Sequence, residues 1–238
     1  MRYFAPNYKI INMKKISLLL ALVCFTCLVG QGQDTDSVKI SKKKWLTLSS
    51  GIESNLIQFA QAEMGGVSLT TIPRYTYFFN TGIDANVKLS EHLKVFSGLN
   101  FKNIGLIIKT NDTIRTKHRV YTFGAPIGLK VYMAKNKVML KAGADFSLAF
   151  NYKWKMCVND TKTKKNEFFS DKTEIFFPSV FAGISVMGFT VTGNYYLNNF
   201  FNKSNAAYAT TDVQLFTLGL GFNFDKNMMK GRNKSSMN

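Results

Sequence analysis

From Lys44 to Phe224 apolar residues recur at every second position, in long runs broken by polar connectors. The clearest run sets Val138, Leu140, Ala142, Ala144, Phe146, Leu148, Phe150, Tyr152 and Trp154 on one face. Met139, Lys141, Gly143, Asp145, Ser147, Ala149, Asn151 and Lys153 fall on the other. A period of two marks a strand with one apolar face, whereas a helix repeats near 3.6. The last run opposes Phe216, Leu218, Leu220, Phe222 and Phe224 to Thr217, Gly219, Gly221 and Asn223. The one before it opposes Phe189, Val191, Tyr195 and Leu197 to Thr190, Thr192, Asn194 and Asn198. The pattern predicts eight strands at 44–59, 74–89, 93–108, 118–132, 138–156, 173–186, 189–201 and 211–224, with less clean alternation in the first, fourth and sixth.

The connectors alternate in length. Short turns at 90–92, 133–137 and 187–188 interleave with longer polar loops at 61–73, 109–117, 157–172 and 202–210. Seven connections of one parity predict a meander with both ends on one side. Alternation alone fits a soluble lipocalin-like barrel as well as a membrane barrel. Volume separates them, because an eight-stranded barrel encloses little more than its own inward side chains. The large apolar set would overfill that space, while Gly, Ser, Thr and Asn with scattered charges suit a narrow lumen. The expected fold is therefore all-β, an eight-stranded antiparallel up-and-down transmembrane β-barrel with its apolar face toward lipid. Each strand exceeds the roughly 9–11 residues needed to cross a bilayer. Trp45, Tyr75, Tyr77, Phe79, Tyr121, Tyr132, Tyr152, Trp154, Tyr195 and Phe200 lie near strand ends. They suggest an interfacial girdle, although strand propensity alone also enriches aromatics.

Upstream, Met13-Lys14-Lys15 and the apolar segment 16–29 resemble a secretory signal, with Gly30 and Gly32 preceding a cut before Gln33. Residues 1–32 are thus read as a signal peptide whose true start could be Met13, and 33–43 as a polar periplasmic leader. The barrel is placed at 44–224 and a disordered basic tail at 225–238. A retained anchor is the alternative for the first segment. Cys24 and Cys27 would leave with the signal, so Cys157 would have no disulfide partner within the mature chain.

The chain has 31 basic and 14 acidic residues, a net charge of +17. Loss of Arg2, Lys9, Lys14 and Lys15 with the signal leaves +13. In an exported protein such an excess points to outer-membrane lipid and lipopolysaccharide rather than nucleic acid. The barrel-assembly machinery and an envelope protein complex are further expected partners.

Candidate chemistry is sparse. His92 falls in a short turn, and His118 reads as a solvated residue beside Lys117 and Arg119 at the outer start of the fourth strand. A rim hydrolase would need a serine and a carboxylate near His118, a proximity that sequence spacing does not show. Two histidines and one retained cysteine are too few for the usual metal sets, and no phosphate- or dinucleotide-binding fingerprint occurs. No catalytic, cofactor or metal residue is therefore assigned. The inward faces do carry Glu53, Asp84, Lys88, Lys94, Lys102, Lys130, Lys141, Asp145 and Lys153. Confined charges must pair or stay wet, so these read as a salt-bridged plug, or as the lining of a narrow anion-preferring pore. Lys109, Arg115, Lys117 and Arg119, against Asp112, are candidates for contact with anionic lipid.

The signal with a mature start at Gln33, the fourth strand Phe123-Gly124-Ala125-Pro126-Ile127-Gly128-Leu129-Lys130-Val131-Tyr132 and the final Leu218-Gly219-Leu220-Gly221-Phe222-Asn223-Phe224 carry a family resemblance. The fourth strand is similar to the proline-containing IPLLLKY strand of the PorT-like outer-membrane β-barrel family. The resemblance covers residues 44–224 and implies an outer-membrane barrel with periplasmic ends. The expected function is non-enzymatic: an envelope structural, adhesion or complex-accessory role through the outer loops. A narrow solute channel and a rim-located lipid or peptide hydrolase are the alternatives.

Overall fold

The computed structural model describes residues 45–76, 79–111, 113–159 and 161–224. The expected signal peptide, leader and tail, together with Tyr77, lie outside the described residues.

Eight strands close into a ring. β1 (Leu46–Met64) pairs on one side with β4 (Phe79–Lys88) and on the other with β11 (Thr211–Asn223). Between them run β5 (Leu93–Lys109), β6 (Ile114–Met133), β7 (Val138–Val158), β9 (Phe176–Val186) and β10 (Phe189–Tyr196), each antiparallel to the next. Closure leaves the ring itself without an edge. Three shorter strands extend one end. β2 (Val67–Ile72) bridges β1 and β5, β3 (Arg74–Tyr75) lies on β1, and β8 (Thr161–Phe168) folds back along β7.

The short turns and both described chain ends gather at the opposite end. There Tyr132 N donates to His92 O (2.8 Å), Met187 N to Lys137 O (2.8 Å), Asn223 N to Gly188 O (2.8 Å) and Lys88 N to Trp45 O (2.9 Å). Three of the four longer connectors are more regular than the sequence suggests. Segment 61–73 is a tight Gly65-Gly66 turn between strands, and 109–117 shrinks to residues 110–113. Segment 157–172 is mostly the β7–β8 hairpin. β8, with the sequence TKTKKNEF, carries polar residues on both faces, so it lacks the apolar alternation that signals a strand. Gly65 and Gly66 adopt φ of 58° and 80°, where a side chain would be strained.

Two bulges reset the faces. The β1–β11 register shifts between Ser54 and Ile57, and the β6–β7 register shifts at Tyr121/Thr122, leaving Phe150 as an extra residue. One inserted residue sends every later side chain to the other face. This corrects the uninterrupted face read for 138–154. Beyond Phe150 it is Tyr152 that is buried, at 2% exposed, while Lys153 stands opposite Arg119.

Ile83, Leu99, Ile127, Leu148, Val180 and Leu220 point outward and are between 44% and 60% exposed. Such residues ring the lower barrel, and on β9 the band fills the whole 11-residue strand. Water does not support a continuous apolar surface of this extent, and the band height matches the 9–11 tilted residues that cross lipid. The molecule is an eight-stranded antiparallel up-and-down transmembrane β-barrel.

Candidate functional site

The lumen has two layers of different chemistry. The layer toward the short-turn end is charged. Lys141 Nζ reaches Glu53 Oε2 at 3.0 Å. β7 and β1 lie on opposite walls of the ring, so this pair crosses the bore. Lys130 Nζ donates to Asp84 Oδ2 (2.6 Å) and Asn86 Oδ1 (2.8 Å). Lys102 Nζ lies 3.1 Å from Asp145 Oδ2, and Asp145 also accepts from Ser147 Oγ (2.5 Å) and Asn100 Nδ2. Asp145 and Lys130 are both fully buried. Charges held this deep persist only where pairing and hydrogen bonds offset desolvation.

The lysines form a row. Lys88, Lys94, Lys130 and Lys141 are successive cross-strand partners over β4, β5, β6 and β7. Aromatic faces help to hold the excess cations. Lys94 Nζ lies 4.4 Å from the Tyr132 ring centre and Lys130 Nζ 4.4 Å from that of Phe96. Gly128 belongs to this arrangement, because a Cβ there would meet Phe96 Cε1 at 2.9 Å. Of the nine residues assigned to the lumen, Lys153 is separated from the rest by the Phe150 bulge. A cavity of about 110 Å³ lies within the charged layer, lined by Glu53, Asn100, Lys102 and Lys141 together with Phe96 and Phe181.

The outer layer corrects the expectation of a polar bore. Ile104, Leu106, Val120, Tyr152, Phe177, Tyr196, Val213 and Leu215 are buried there as one apolar cluster. Phe200 and Phe201, from the connection after β10, complete it at 0% exposure. Tyr152 and Phe200, in this cluster, and Tyr132, buried separately with Met139, are therefore interior residues and not part of a girdle. Trp154 packs against the same cluster. Trp45, Tyr75 and Tyr195 are exposed, at 67%, 65% and 45%.

His118 is not a solvated loop residue. It is 3% exposed, its Nδ1 lies 2.7 Å from Tyr152 Oη, and Phe201 meets it edge-on at 4.9 Å. Phe201 in turn stacks on Tyr208 at 4.2 Å. Among the described residues no hydrogen bond joins His118 to a serine or carboxylate. It serves the aromatic plug as a polar group satisfied by a tyrosine.

Arg74 is a buried residue that the sequence pattern does not mark. Its side chain is 2% exposed and donates to Gln58 Oε1 and Asn103 Oδ1, each at 2.6 Å. Gln58 Nε2 also donates to the Asn103 carbonyl (2.8 Å). The signal available was an arginine next to Pro73 where the alternation lapses. The four residues assigned to anionic contact lie on strands, not in a loop. Lys109 faces Arg115 across β5–β6, and Lys117 and Arg119 continue along β6.

On β8, outside the lipid band, Glu167 accepts from Lys172 Nζ (2.7 Å), Ser170 Oγ (2.6 Å) and Lys165 Nζ (2.8 Å). Bonds from Lys165, Lys172 and Ser170 hold its carboxyl down at about 2. A lowered folded value adds stability above the ordinary carboxylate value near 4.3, and that stability is lost as pH falls toward about 2. Trp154 stands opposite Lys165. In a Trp45→Phe background, Trp154 emission is expected to shift to the red over that acid window, and Glu167→Gln is expected to shift it already at neutral pH. The effect is modest because Lys165 is solvent-screened.

The chain matches no protein-family model and no curated protein. Solved structures similar to it include Ail, the attachment invasion locus protein of Yersinia pestis, at 14% identity and a TM-score of 0.38, covering 74% of this chain and 97% of that one. Neisserial surface protein A is likewise similar at 14% identity and a TM-score of 0.38, with 75% of this chain and 97% of that chain covered.

Proposed function

We propose that this protein is a PorT-like outer-membrane barrel that closes its own bore and acts through its outer surface in an envelope structural, adhesion or complex-accessory role. The short-turn end, with both chain ends, faces the periplasm, because short turns lie on that side in barrels of this class. The observation that carries the reading is the double closure of the lumen beneath strands that continue past the lipid band. Lys141–Glu53 spans the bore at one level, and Phe200, Phe201 and Tyr152 fill it at another. Material that passes neither layer leaves the outer projection as the working surface.

A narrow channel is the second reading, favoured by the charged side chains of Glu53, Lys102 and Lys141 that line the cavity in this layer. Planar-bilayer recording separates the two. The purified barrel is expected to give no unitary conductance, whereas steady openings that shift reversal potential in a salt gradient would favour the channel. Orientation is tested on intact cells. An epitope inserted after Asn159, at the tip of the β7–β8 hairpin, should be reached by antibody without permeabilisation, and one placed after Asn238 should not.

A further inference from the structure

Above the lipid band the outward positions of β6 are Arg115, Lys117 and Arg119. On β7 their direct partners are Cys157, Lys155 and Lys153. On β8, Lys162 stands opposite Cys157 and Lys164 opposite Lys155. Of the remaining positions in this register, Asn166 is neutral and Asn151 is a neutral residue buried opposite Tyr121 and Phe168, so these three strands place no carboxylate on this face. Among the described residues none of these basic side chains joins an ion pair.

Like charges directly opposite one another destabilise a sheet. For β8 there is an ordinary reason to accept that cost, since lysines on an edge strand block the addition of further strands. β6 and β7 have no such need, because both are paired on both sides at this level. Two like-charged pairs, Lys117 with Lys155 and Arg119 with Lys153, therefore persist in the middle of the sheet. A counter-charge from outside the chain would relieve them.

What lies below identifies its source. Tyr121 stacks on Phe101 at 5.9 Å and meets Phe150 at 6.4 Å, with Lys153 Nζ 4.9 Å from its ring centre. At the foot of β8, Phe168 and Phe169 are 69% and 73% exposed, and Phe169 N bonds to Phe150 O. These rings form a sideways-facing aromatic step at the top of the lipid band. With a rise of about 3.3 Å per residue and a tilt of about 45°, Lys117 stands about 9 Å above Tyr121, at headgroup height. The opposite wall differs, for there Glu63 and Asp212 face each other on β1 and β11.

We propose that this face docks the phosphate groups of the surrounding outer-leaflet lipid, a phosphorylated glycolipid whose chains rest on Phe168 and Phe169. The proposal deepens the outer-membrane reading and rests on it. A phosphate set between Lys117 and Lys155 accepts charge-assisted hydrogen bonds from both and screens their repulsion. The lateral aspect of the face and its continuity with exposed aromatics favour a membrane lipid over a soluble polyanion.

The test uses the folded barrel in phosphatidylcholine nanodiscs doped with bisphosphorylated lipid A, with dephosphorylated lipid A, or with inorganic polyphosphate added to solution. Retained ligand per barrel is read by native mass spectrometry across a salt series. The expected result is retention of bisphosphorylated lipid A alone, reduced at least about tenfold by Lys117→Gln with Lys155→Gln and restored by arginine at both positions. The boiled-versus-unheated gel shift confirms folding of each variant. Should the glutamine pair not fold, Lys162→Gln with Lys164→Gln on the exposed edge should still reduce retention about threefold. Equal retention by wild type and folded variants, or no dependence on lipid phosphates, overturns the proposal. Preferential capture of polyphosphate overturns it in favour of a soluble polyanion. The assay is indifferent to orientation in the cell, so failure of the outer-membrane reading shows separately in the epitope experiment.

Discussion

Asp145→Lys is expected to abolish the folded barrel. The carboxylate is fully buried and accepts from Lys102, Ser147 and Asn100. Its replacement strands Lys102 and adds a fourth cation where β5, β6 and β7 already bring Lys102, Lys130 and Lys141 inward. Breaking a buried pair typically costs about 3–5 kcal/mol, and the introduced repulsion adds to that. The readout is mobility on SDS gels. A closed barrel satisfies its backbone internally and resists SDS until boiled, so wild type should run as two species and the variant only as the unfolded one. Asp145→Asn keeps the shape and should retain a folded band with a lowered unfolding temperature. Leu148→Ile, on the lipid face three residues away, should change little. A folded, heat-resistant Asp145→Lys protein would contradict the inward position of this side chain.

Gly143→Val is expected to be nearly as severe, for a reason unrelated to charge. Gly143 on β7 is the direct partner of Gly128 on β6. A Cβ at Gly143 would collide with the Ile127 carbonyl oxygen and lie 2.6 Å from Gly128 Cα. Both obstacles are backbone of the adjacent strand, which cannot rotate away as a side chain would. The strands would have to part along the longest paired stretch of the barrel, and the cost should exceed the about 1–3 kcal/mol usual for overpacking. The gel shift should again be lost. Gly65→Ala supplies the contrast. That position has φ of 58° but nothing within 4 Å of an added Cβ, so only conformational strain is introduced. A loss of about 1 kcal/mol is expected, seen as a small drop in unfolding temperature with the folded band intact.

These two sites also show which features are local in character. Alternation along 189–197 and 216–224 follows from one face meeting lipid and the other meeting the bore, and the structure keeps both faces as the pattern implies, with Thr190, Thr192, Asn194 and Thr217 buried and Val191, Leu218 and Leu220 exposed. Strand number, parity and the shared end of the short turns were legible for the same reason: each depends on residue type at fixed local spacing. Even the inward direction of Asp145 and Lys141 could be read by counting in twos from Leu148.

Counting fails where the backbone changes step. The extra residue at Phe150 and the shift after Ser54 carry no distinctive residue type, yet each turns the rest of its strand over. That inversion brought Tyr152 into the bore beside His118, sent Lys153 outward, and aligned Lys117 with Lys155 on the outer face of the sheet. β8 was equally silent, since polar residues on both of its faces look like loop. Pairings across the bore, such as Lys141 with Glu53, depend on ring closure that joins positions 88 residues apart. Local spacing therefore determined that this chain forms a membrane barrel with an apolar exterior. Only the register of closed strands decided that the bore is sealed by an aromatic layer above a charged one, and that the basic residues form a face rather than a loop.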